Sequence, residues 1–360
     1  MRPASEAELA EMVRAAVAPL TVQGGGTRRL GPAGGAVLET GGLAGVRLYE
    51  PGALTLVAGA GTPLAEVEAL LAGEGQRLAF EPPDLRGLLG RGGISTLGGV
   101  AAANAAGPRQ VQAGGARDAM LGVRFVDGRG EVVKNGGRVM KNVTGYDLVK
   151  LMAGSRGALG VLTEVSLKVQ AIPEAEATLV AGGLAAGPGL ALLRAALKTP
   201  YDISGAAMAG GAAMIRVEGL AGSVAYRAGR LRAVLGGDWQ VVEGADSAAL
   251  WRDLRDVAAF ASRPGAVWRL VVKPTEAARI AAEAGGEAVF DRGGGLIWLL
   301  TDAAADVRGA VGDAGHATLV RPLPGITAPL LPPEAPAVAA LTIGLRRQFD
   351  PRGILTQGAA

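Results

Sequence analysis

The chain has 360 residues, 49% hydrophobic and 19% charged, which predicts two well-buried domains and excludes a disordered protein. Its formal net charge is only +3, and its Lys and Arg are scattered without a basic run, which excludes a nucleic-acid-binding surface. The chain has no Cys and one His. Disulfides, cysteine nucleophiles, iron–sulfur ligation, a cysteine-linked flavin and paired-histidine metal sites are therefore excluded.

The N-terminal segment does not have the layout of a signal peptide, because Glu6, Glu8 and Glu11 occupy its first helical turns. No window approaches the roughly 18 consecutive apolar residues of a membrane-spanning helix. We expect a cytoplasmic protein that contacts the inner face of the cell membrane only peripherally, through partners.

Short elements alternate with glycine turns in the first half of the chain. Ser5 is a predicted N-cap with Glu8 at the third helical position, and Thr62 is predicted to cap a second helix with Pro63 at its first position. Asp127-Gly128 predicts a hairpin. The other predicted elements are strands at 20–22, 36–39, 54–58, 120–126, 131–134 and 161–169, and a helix at 146–152.

Strands and helices alternate after about residue 175. Strand 178–182, helix 190–197, strands 203–207 and 213–217, helix 223–235 and strand 239–242 predict one β-α-β-β-α-β unit. A looser second copy has strands at 267–273, 288–290 and 296–300 and helices at 248–260, 276–284 and 303–313. Prolines from Pro322 to Pro336 predict an extended linker before a last helix at 337–349. These changes predict domains at 1–173 and 174–335, and a segment at 336–360 that returns to the first domain.

Four glycine-rich runs, at 24–27, 92–108, 135–137 and 153–164, are the strongest functional signal. Glycine permits positive φ and close backbone approach, and successive free N–H groups hold anions without any side-chain charge. A Rossmann site requires a helix directly after its glycines, but none is predicted after Thr27. The P-loop pattern is absent as well.

Together these runs resemble the FAD-binding domain of the vanillyl-alcohol oxidase (PCMH) type. The run 154–164 is similar to Gly-Ser-Glu-Gly-Thr-Leu-Gly-Ile-Ile-Thr-Glu in glycolate oxidase and D-lactate dehydrogenase relatives. Arg117-Asp118 with Leu121-Gly122, and the segment 140–148, resemble the FAD-binding E subunits of bacterial glycolate oxidases. The segment 349–355 resembles the family's Asp-Pro-x-Gly-Ile-Leu ending, although 356–358 departs from its Asn-Pro-Gly.

The resemblance implies an α+β fold, with a two-part FAD-binding domain of this type and a ferredoxin-like α+β cap domain. It implies non-covalent FAD and oxidation of glycolate to glyoxylate in a complex with a catalytic FAD subunit and an iron–sulfur subunit. The cofactor-binding residues that it implies are Gly24, Gly25, Gly26, Thr27, Pro83, Asp84, Thr96, Gly98, Gly99, Asn104, Gly107, Gly154, Ser155, Gly157, Gly160, Val161 and Thr163.

A substrate site is predicted on strand 267–273, whose alternation places Arg269 and Lys273 on one face. Two such cations suit the carboxylate of a small 2-hydroxy acid, although solvated edge residues would show the same pattern. Arg346 and Arg347 are weaker candidates for this role. No metal site is predicted.

Oxidation of a 2-hydroxy acid also requires a base for the hydroxyl proton. Relatives supply histidines, often with a metal, whereas this chain has only His316, which has the pattern of an ordinary polar residue near a strand. No catalytic residue is therefore assigned, and we expect the isolated chain to carry FAD without oxidising glycolate itself. Two alternatives remain open: a free-standing FAD-dependent D-2-hydroxy-acid dehydrogenase, and a non-catalytic scaffold subunit that has lost FAD.

Overall fold

The computed structural model describes residues 1–138 and 145–356, and the first part of the chain builds three small sheets. The strands are β1 Leu20–Gln23, β2 Ala36–Glu39, β3 Val46–Glu50, β4 Thr55–Gly59, β5 Gln76–Arg77, β6 Met120–Val126, β7 Val132–Gly136, β8 Val161–Lys168 and β9 Gln170–Ala171. The helices are α1 Glu6–Ala15, α2 Leu64–Gly73, α3 Arg86–Leu89, α4 Leu97–Ala102, α5 Gln110–Ala113, α6 Ala116–Ala119 and α7 Leu148–Met152. Strands β3-β4-β8-β6-β7 form an antiparallel sheet, β5 pairs with β9, and β1 pairs in parallel with β2.

Local capping explains where the first two helices begin. The Ser5 hydroxyl accepts the N–H of Glu8 at 3.1 Å, which confirms the predicted N-cap of α1. The prediction for Thr62 is wrong: its hydroxyl donates to the Gly59 carbonyl at 2.7 Å and accepts the Gly45 N–H at 2.9 Å. Because this turn occupies the hydroxyl, α2 begins at Leu64 without a side-chain cap.

The second part of the chain forms one eight-stranded sheet. Its strands are β10 Ala175–Ala181, β11 Ile203–Ala209, β12 Ala212–Gly219, β13 Gln240–Glu243, β14 Ala266–Val272, β15 Glu287–Asp291, β16 Leu296–Thr301 and β17 Gly315–Arg321. Its helices are α8 Ala186–Leu197, α9 Ala221–Leu235, α10 Gly244–Arg255, α11 Ala277–Ala284 and α12 Val307–Val311. The order β13-β10-β12-β11-β15-β16-β14-β17 is two ferredoxin-like units joined edge to edge by their second strands.

The second unit is therefore complete rather than loose, because β17 supplies the fourth strand that sequence reasoning missed. The predicted helix at 303–313 is shorter than expected. Asp306 caps α12 by accepting the Gly309 N–H at 2.9 Å, so the helix starts only at Val307. The chain then turns at Gly315 and pairs antiparallel with β14.

The C-terminal segment returns to the first part through α13 Pro336–Phe349 and β18 Leu355–Thr356. Strand β18 pairs in parallel with β1, and the ring of Phe349 lies 6.1 Å from that of Phe125. The rest of α13 packs little, since none of its residues is buried. This return supports β1, the strand that leads into the first glycine run.

The two faces of the eight-stranded sheet have different neighbours. Trp268, Leu270 and Val272 of β14 join a core with α8, α9, α11 and α12. The opposite face, which carries Val267, packs against Leu30 and Leu88 of the first part. Arg269 alternates with Trp268 and Leu270, so it lies on the face that turns toward the first part.

Candidate functional site

A cavity lies where the first glycine run meets the other loops. Gly24, Gly25, Gly26 and Thr27, which follow β1, form one wall. The remaining walls include Thr96, Gly98 and Gly99 at α4 and Gly157 and Gly160 before β8. We call this space the glycine-loop cavity. It brings together residues from three runs that are far apart in the sequence.

The loops around this cavity touch backbone to backbone. A Cβ atom built on Gly25 would lie 1.5 Å from the Ile94 carbonyl oxygen, which no side chain can tolerate. Gly157 has φ +84°, and its Cβ would lie 2.8 Å from Cβ of Val22. Glycine is thus required at both positions so that the loops can close around the cavity.

Several backbone N–H groups at this cavity lack a partner within the described residues. The N–H groups of Gly25, Gly26, Thr27 and Gly157 donate no hydrogen bond to residues 1–138 or 145–356. Unpaired amide donors that line a concave glycine surface fit an anionic diphosphate, because the positive ends of the N–H dipoles attract its negative charge. The residues present therefore fit FAD.

Three arginines, Arg28, Arg29 and Arg156, also line the glycine-loop cavity, and sequence reasoning missed them. Arg28 donates to the Pro83 carbonyl and to the Ser95 hydroxyl, so it ties the first glycine run to the second. Burial lowers the pKa of the Arg28 guanidinium, and the charges of Asp84 and Asp256 oppose that effect. These cations complement the charge of a diphosphate.

A second cavity, of about 230 Å³, lies between the first part and the eight-stranded sheet. We call it the interdomain cavity. Pro83, Asn104 and Gly107 of the predicted cofactor set line it. Arg28, Leu30, Ala103 and Arg156 line both cavities, so the two spaces adjoin.

Arg269 of β14 is the main cation of the sheet side of the interdomain cavity. Burial, together with the nearby charges of Arg292 and Arg156, lowers the pKa of Arg269 to about 10. Its guanidinium makes no hydrogen bond or ion pair within the described part of the chain. A half-buried guanidinium with no partner among the described residues is stabilised when an anion binds to it, so this wall suits a carboxylate.

Asp291 at the end of β15 lines the same cavity and is buried. Its Oδ1 accepts the N–H of Arg292 at 2.6 Å, whereas Oδ2 lies 4.0 Å from Arg292 Nε, beyond hydrogen-bond distance. Burial raises the pKa of the Asp291 carboxyl, and the charge and N–H of Arg292 oppose that rise. No sequence motif marks this residue.

Strained backbone occurs in and beside the walls of the interdomain cavity. Asn104 and Arg156, which line it, have φ +45° and +52°. Glu81 and Arg292 have φ +46° and +56° and lie beside lining residues, with Arg292 Nη2 3.5 Å from the Ala106 carbonyl. Positive φ costs free energy in residues other than glycine, and it persists where the surrounding packing enforces it, as at binding sites.

Buried ion pairs hold the two parts of the chain together near this cavity. Glu81 accepts two hydrogen bonds from Arg216 of β12, both 2.9 Å long. Glu218 of the same strand pairs with Arg77 at 2.8 Å and with Arg109 at 3.0 Å. Burial alone would raise the pKa of Glu218, but Arg216, Arg109 and Arg77 lower it to about 2.

Five predicted cofactor residues line neither cavity: Asp84, Gly154, Ser155, Val161 and Thr163. Asp84 pairs with Arg86 at 2.6 Å, Val161 is fully buried, and the Thr163 hydroxyl donates to Glu6 at 2.6 Å. Ser155 Oγ is buried without a partner in the described residues. The side chains of Asp84 and Thr163 are thus engaged with other protein residues.

The prediction that Arg269 and Lys273 share one strand face is wrong. Lys273 lies beyond the end of β14, in an exposed depression beside Glu276 and Arg279. His316 is exposed on β17 and does not line either cavity. Arg346 and Arg347 are exposed on α13. Residues 140–144 and 357–358, part of the predicted resemblance, lie outside the described residues.

Comparisons with known proteins agree with this geometry. The family described as an FAD binding domain matches residues 1–136. The solved structure of alkyldihydroxyacetonephosphate synthase superposes with a TM-score of 0.69 at 15% identity, covering 99% of this chain and 76% of that one, which shows a shared fold. No helix in the described ranges is long and apolar enough to span a lipid bilayer.

Two curated relatives narrow the family. The chain is 37% identical to the glycolate oxidase subunit GlcE of Escherichia coli (strain K12), over 97% of this chain and 95% of that protein. It is 39% identical to the glycolate oxidase subunit GlcD of Bacillus subtilis (strain 168) over 102 residues, 28% of this chain and 21% of that protein. The chain therefore belongs to the GlcE family of glycolate oxidase subunits, which are FAD-linked oxidoreductases.

Proposed function

We propose that this chain binds FAD non-covalently along the two adjoining cavities and takes part in oxidising a 2-hydroxy acid, glycolate to glyoxylate, within a multi-subunit complex. The observation that carries the proposal is the continuity of the site. Unpaired amide donors line one end, and the unpaired guanidinium of Arg269 lies at the other. In this proposal residues 1–173 and 336–360 form the FAD-binding unit, and residues 174–335 form the cap.

The glycine-loop cavity is assigned to the diphosphate. The N–H groups of Gly25, Gly26 and Thr27, with Gly157 opposite them, would donate to its oxygens, and Arg28 and Arg156 would balance its charge. When bound, FAD supplies the two-electron oxidation that no protein side chain of this site can perform. The absence of Cys and the exposed position of His316 support a non-covalent cofactor.

The interdomain cavity is assigned to the substrate. Arg269 would bind the carboxylate through paired N–H donors, a geometry that a guanidinium provides and an ammonium does not. Val320 and Trp298 line the walls beside it and exclude water from the bound acid. A space of about 230 Å³ next to the glycine-loop cavity admits only a small acid beside the cofactor.

The partners are assigned as a second, catalytic FAD subunit and an iron–sulfur subunit. The chain lacks the Cys ligands for a cluster of its own, so onward transfer of electrons requires a partner. Helix α13 supports an assembly: Val338, Leu341 and Ile343 are each at least half exposed, and such patches mark protein contacts. Membrane contact would then occur only through these partners.

The test uses purified full-length chain and its bound flavin. Acid precipitation should release all flavin into the supernatant, and glycolate should perturb the flavin absorbance with a dissociation constant that Arg269→Gln weakens about 10- to 100-fold. Lys273→Gln, which removes an exposed cation from the end of the same strand, is the matched control and should bind as wild type does. A colourless chain would favour the scaffold alternative, and equal effects of the two variants would contradict the assignment of Arg269.

A further inference from the structure

We propose that Asp291 is the base that accepts the hydroxyl proton of the 2-hydroxy acid, through its Oδ2 atom, in the interdomain cavity. This inference rests on the proposed substrate site. It replaces the expectation, based on the missing histidines, that the isolated chain carries FAD without oxidising glycolate itself.

Asp291 and Arg269 lie on the same side of one sheet. Strand β16 separates β15 from β14, and Leu296 pairs in register with both Asp291 and Val271. Two strand spacings separate β15 from β14 by about 10 Å, and the two-residue offset from Val271 to Arg269 brings the backbone separation of Asp291 and Arg269 to about 12 Å, a span that the two side chains and a small bound acid can bridge. The Asp291 carboxylate also raises the pKa of Arg269 against the effect of burial, which means that the two charges interact across the cavity.

The two carboxylate oxygens of Asp291 have different environments. The Arg292 N–H, at 2.6 Å, fixes Oδ1, whereas Oδ2 has no hydrogen-bond donor within the described residues. An oxygen held in place on one side and open on the other can accept a proton from a bound molecule without first breaking a protein contact. Asp291 is therefore oriented and available at once.

The charged groups around Asp291 act on the pKa of its carboxyl in both directions, and the net result is a raised pKa. Burial and the charge of Glu81 raise its pKa, while Arg292 and, from β12, Arg216 lower it. Arg269 faces it from β14. A base works best when its pKa approaches the working pH, and an ordinary surface aspartate lies well below that range.

Three other acids near the cavity are already engaged in ion pairs. Glu81 binds Arg216, Glu218 binds Arg77 and Arg109, and Asp256 binds Arg255 with both of its oxygens. Proton transfer to any of these would break an ion pair. Asp291 alone combines a place in the cavity wall with an oxygen that no described residue occupies.

The proposed step balances in atoms and electrons. The hydroxyl proton moves to Asp291 Oδ2, and the electron pair of the O–H bond becomes the second bond of the new carbonyl group. The hydrogen on the substrate's α-carbon would leave with its electron pair, and FAD, when bound, would supply this two-electron oxidation. The products are a 2-oxo acid and a neutral Asp291 carboxylic acid, which returns its proton to solvent when the product leaves.

The test compares Asp291→Asn with wild type in the FAD-loaded full-length chain. Asparagine retains an oxygen that accepts the Arg292 N–H but cannot take up a proton, so the fold and the cavity should persist. Asp313→Asn, which removes an exposed carboxylate outside both cavities, is the matched control. The three readouts are the glycolate dissociation constant, the rate of flavin bleaching by excess glycolate under anaerobic conditions, and the infrared C=O band of a protonated carboxyl as a function of pH.

We expect Asp291→Asn to bind glycolate within about tenfold of wild type and to bleach roughly 10²–10⁴-fold more slowly. Its infrared spectrum should lack a titrating carboxyl band that wild type and Asp313→Asn retain. Bleaching of Asp291→Asn at the wild-type rate would overturn the role of Asp291 while the substrate site stands. The same conclusion would follow if the wild-type chain bound glycolate but its flavin did not bleach. Failure of the wild-type chain to bind glycolate would refute the proposed function itself.

Discussion

The glycine-loop cavity and the interdomain cavity adjoin, but they are built in different ways. The first is formed mainly by backbone: glycines at close contact leave N–H groups free, and the cations Arg28, Arg29 and Arg156 lie around them. The second depends on side chains from separate strands, with Arg269 on β14 and Asp291 on β15. Backbone sites tolerate almost no added atom, whereas side-chain sites respond to changes of charge.

The largest expected effect is the loss of FAD from Gly25→Asp. Its Cβ would overlap the Ile94 carbonyl, and its carboxylate would repel the diphosphate. Gly52→Asp, where nothing lies within 4 Å of the new Cβ, is the matched control. Flavin per chain should fall to near zero in the first variant and stay at the wild-type ratio in the second. Retained flavin in Gly25→Asp would mean that the diphosphate lies elsewhere.

Glu218→Gln should destabilise the contact between the two parts of the chain. The drop in the pKa of Glu218 from 4.5 to about 2 corresponds to about 3 kcal/mol. Because the folded-state pKa is depressed, this stability is present above pH 4.5 and is lost as the pH falls toward 2. Urea unfolding at pH 7 should show a loss of about 3 kcal/mol for Glu218→Gln and almost none for the exposed Glu243→Gln. The difference should shrink at pH 3, and a variant as stable as wild type at pH 7 would contradict the buried network.

Substrate affinity should depend on pH through Arg269. Its pKa of about 10 means that the guanidinium is charged below that pH and loses its proton above it. Binding of glycolate should therefore weaken as the pH rises past 10, by about tenfold at pH 11. Arg269→Gln measured over the same range separates this effect from other titrations. A parallel decline in the variant would assign the titration to another group.

Substitution of two threonines is expected to have the smallest effect on FAD affinity. The Thr27 hydroxyl belongs to the wall of the glycine-loop cavity, whereas the Thr163 hydroxyl binds Glu6. Thr27→Val should weaken FAD binding about threefold to tenfold. Thr163→Val should leave FAD affinity unchanged and lower the free energy of unfolding by about 1 kcal/mol. Flavin titration of the apoprotein measures both affinities, and the reverse order would restore Thr163 as a candidate cofactor contact.

The sequence-based predictions were accurate for features that local backbone patterns set, and they failed for features that depend on contacts between distant segments. Strand limits such as Ala36–Glu39, the N-cap at Ser5 and the first β-α-β-β-α-β unit follow from local patterns and are confirmed. Strand β17 was missed, because the segment from Gly315 to Arg321 pairs only with a strand more than 40 residues earlier in the chain. Arg28 and Arg156 were missed because an arginine in a glycine run carries no signal of its own. The prediction for Lys273 was wrong because β14 ends at Val272, and the alternation that places Arg269 on one face ends with it.

The sequence by itself determined where the chain forms close backbone turns, because glycine acts through its own φ/ψ range and its missing Cβ. The resemblance of these glycine runs to the family's motifs then implied the fold class and FAD. The tertiary structure alone decided which charged side chains meet at the interdomain cavity. Arg156, Arg269 and Asp291 come from segments more than 100 residues apart or from separate strands of one sheet, and their pairing depends on the order β15-β16-β14 and on burial. No local sequence pattern encodes the strand order or the burial of these side chains. The strand order arises only when the strands pair, and the burial arises only when water leaves the space between the two parts of the chain.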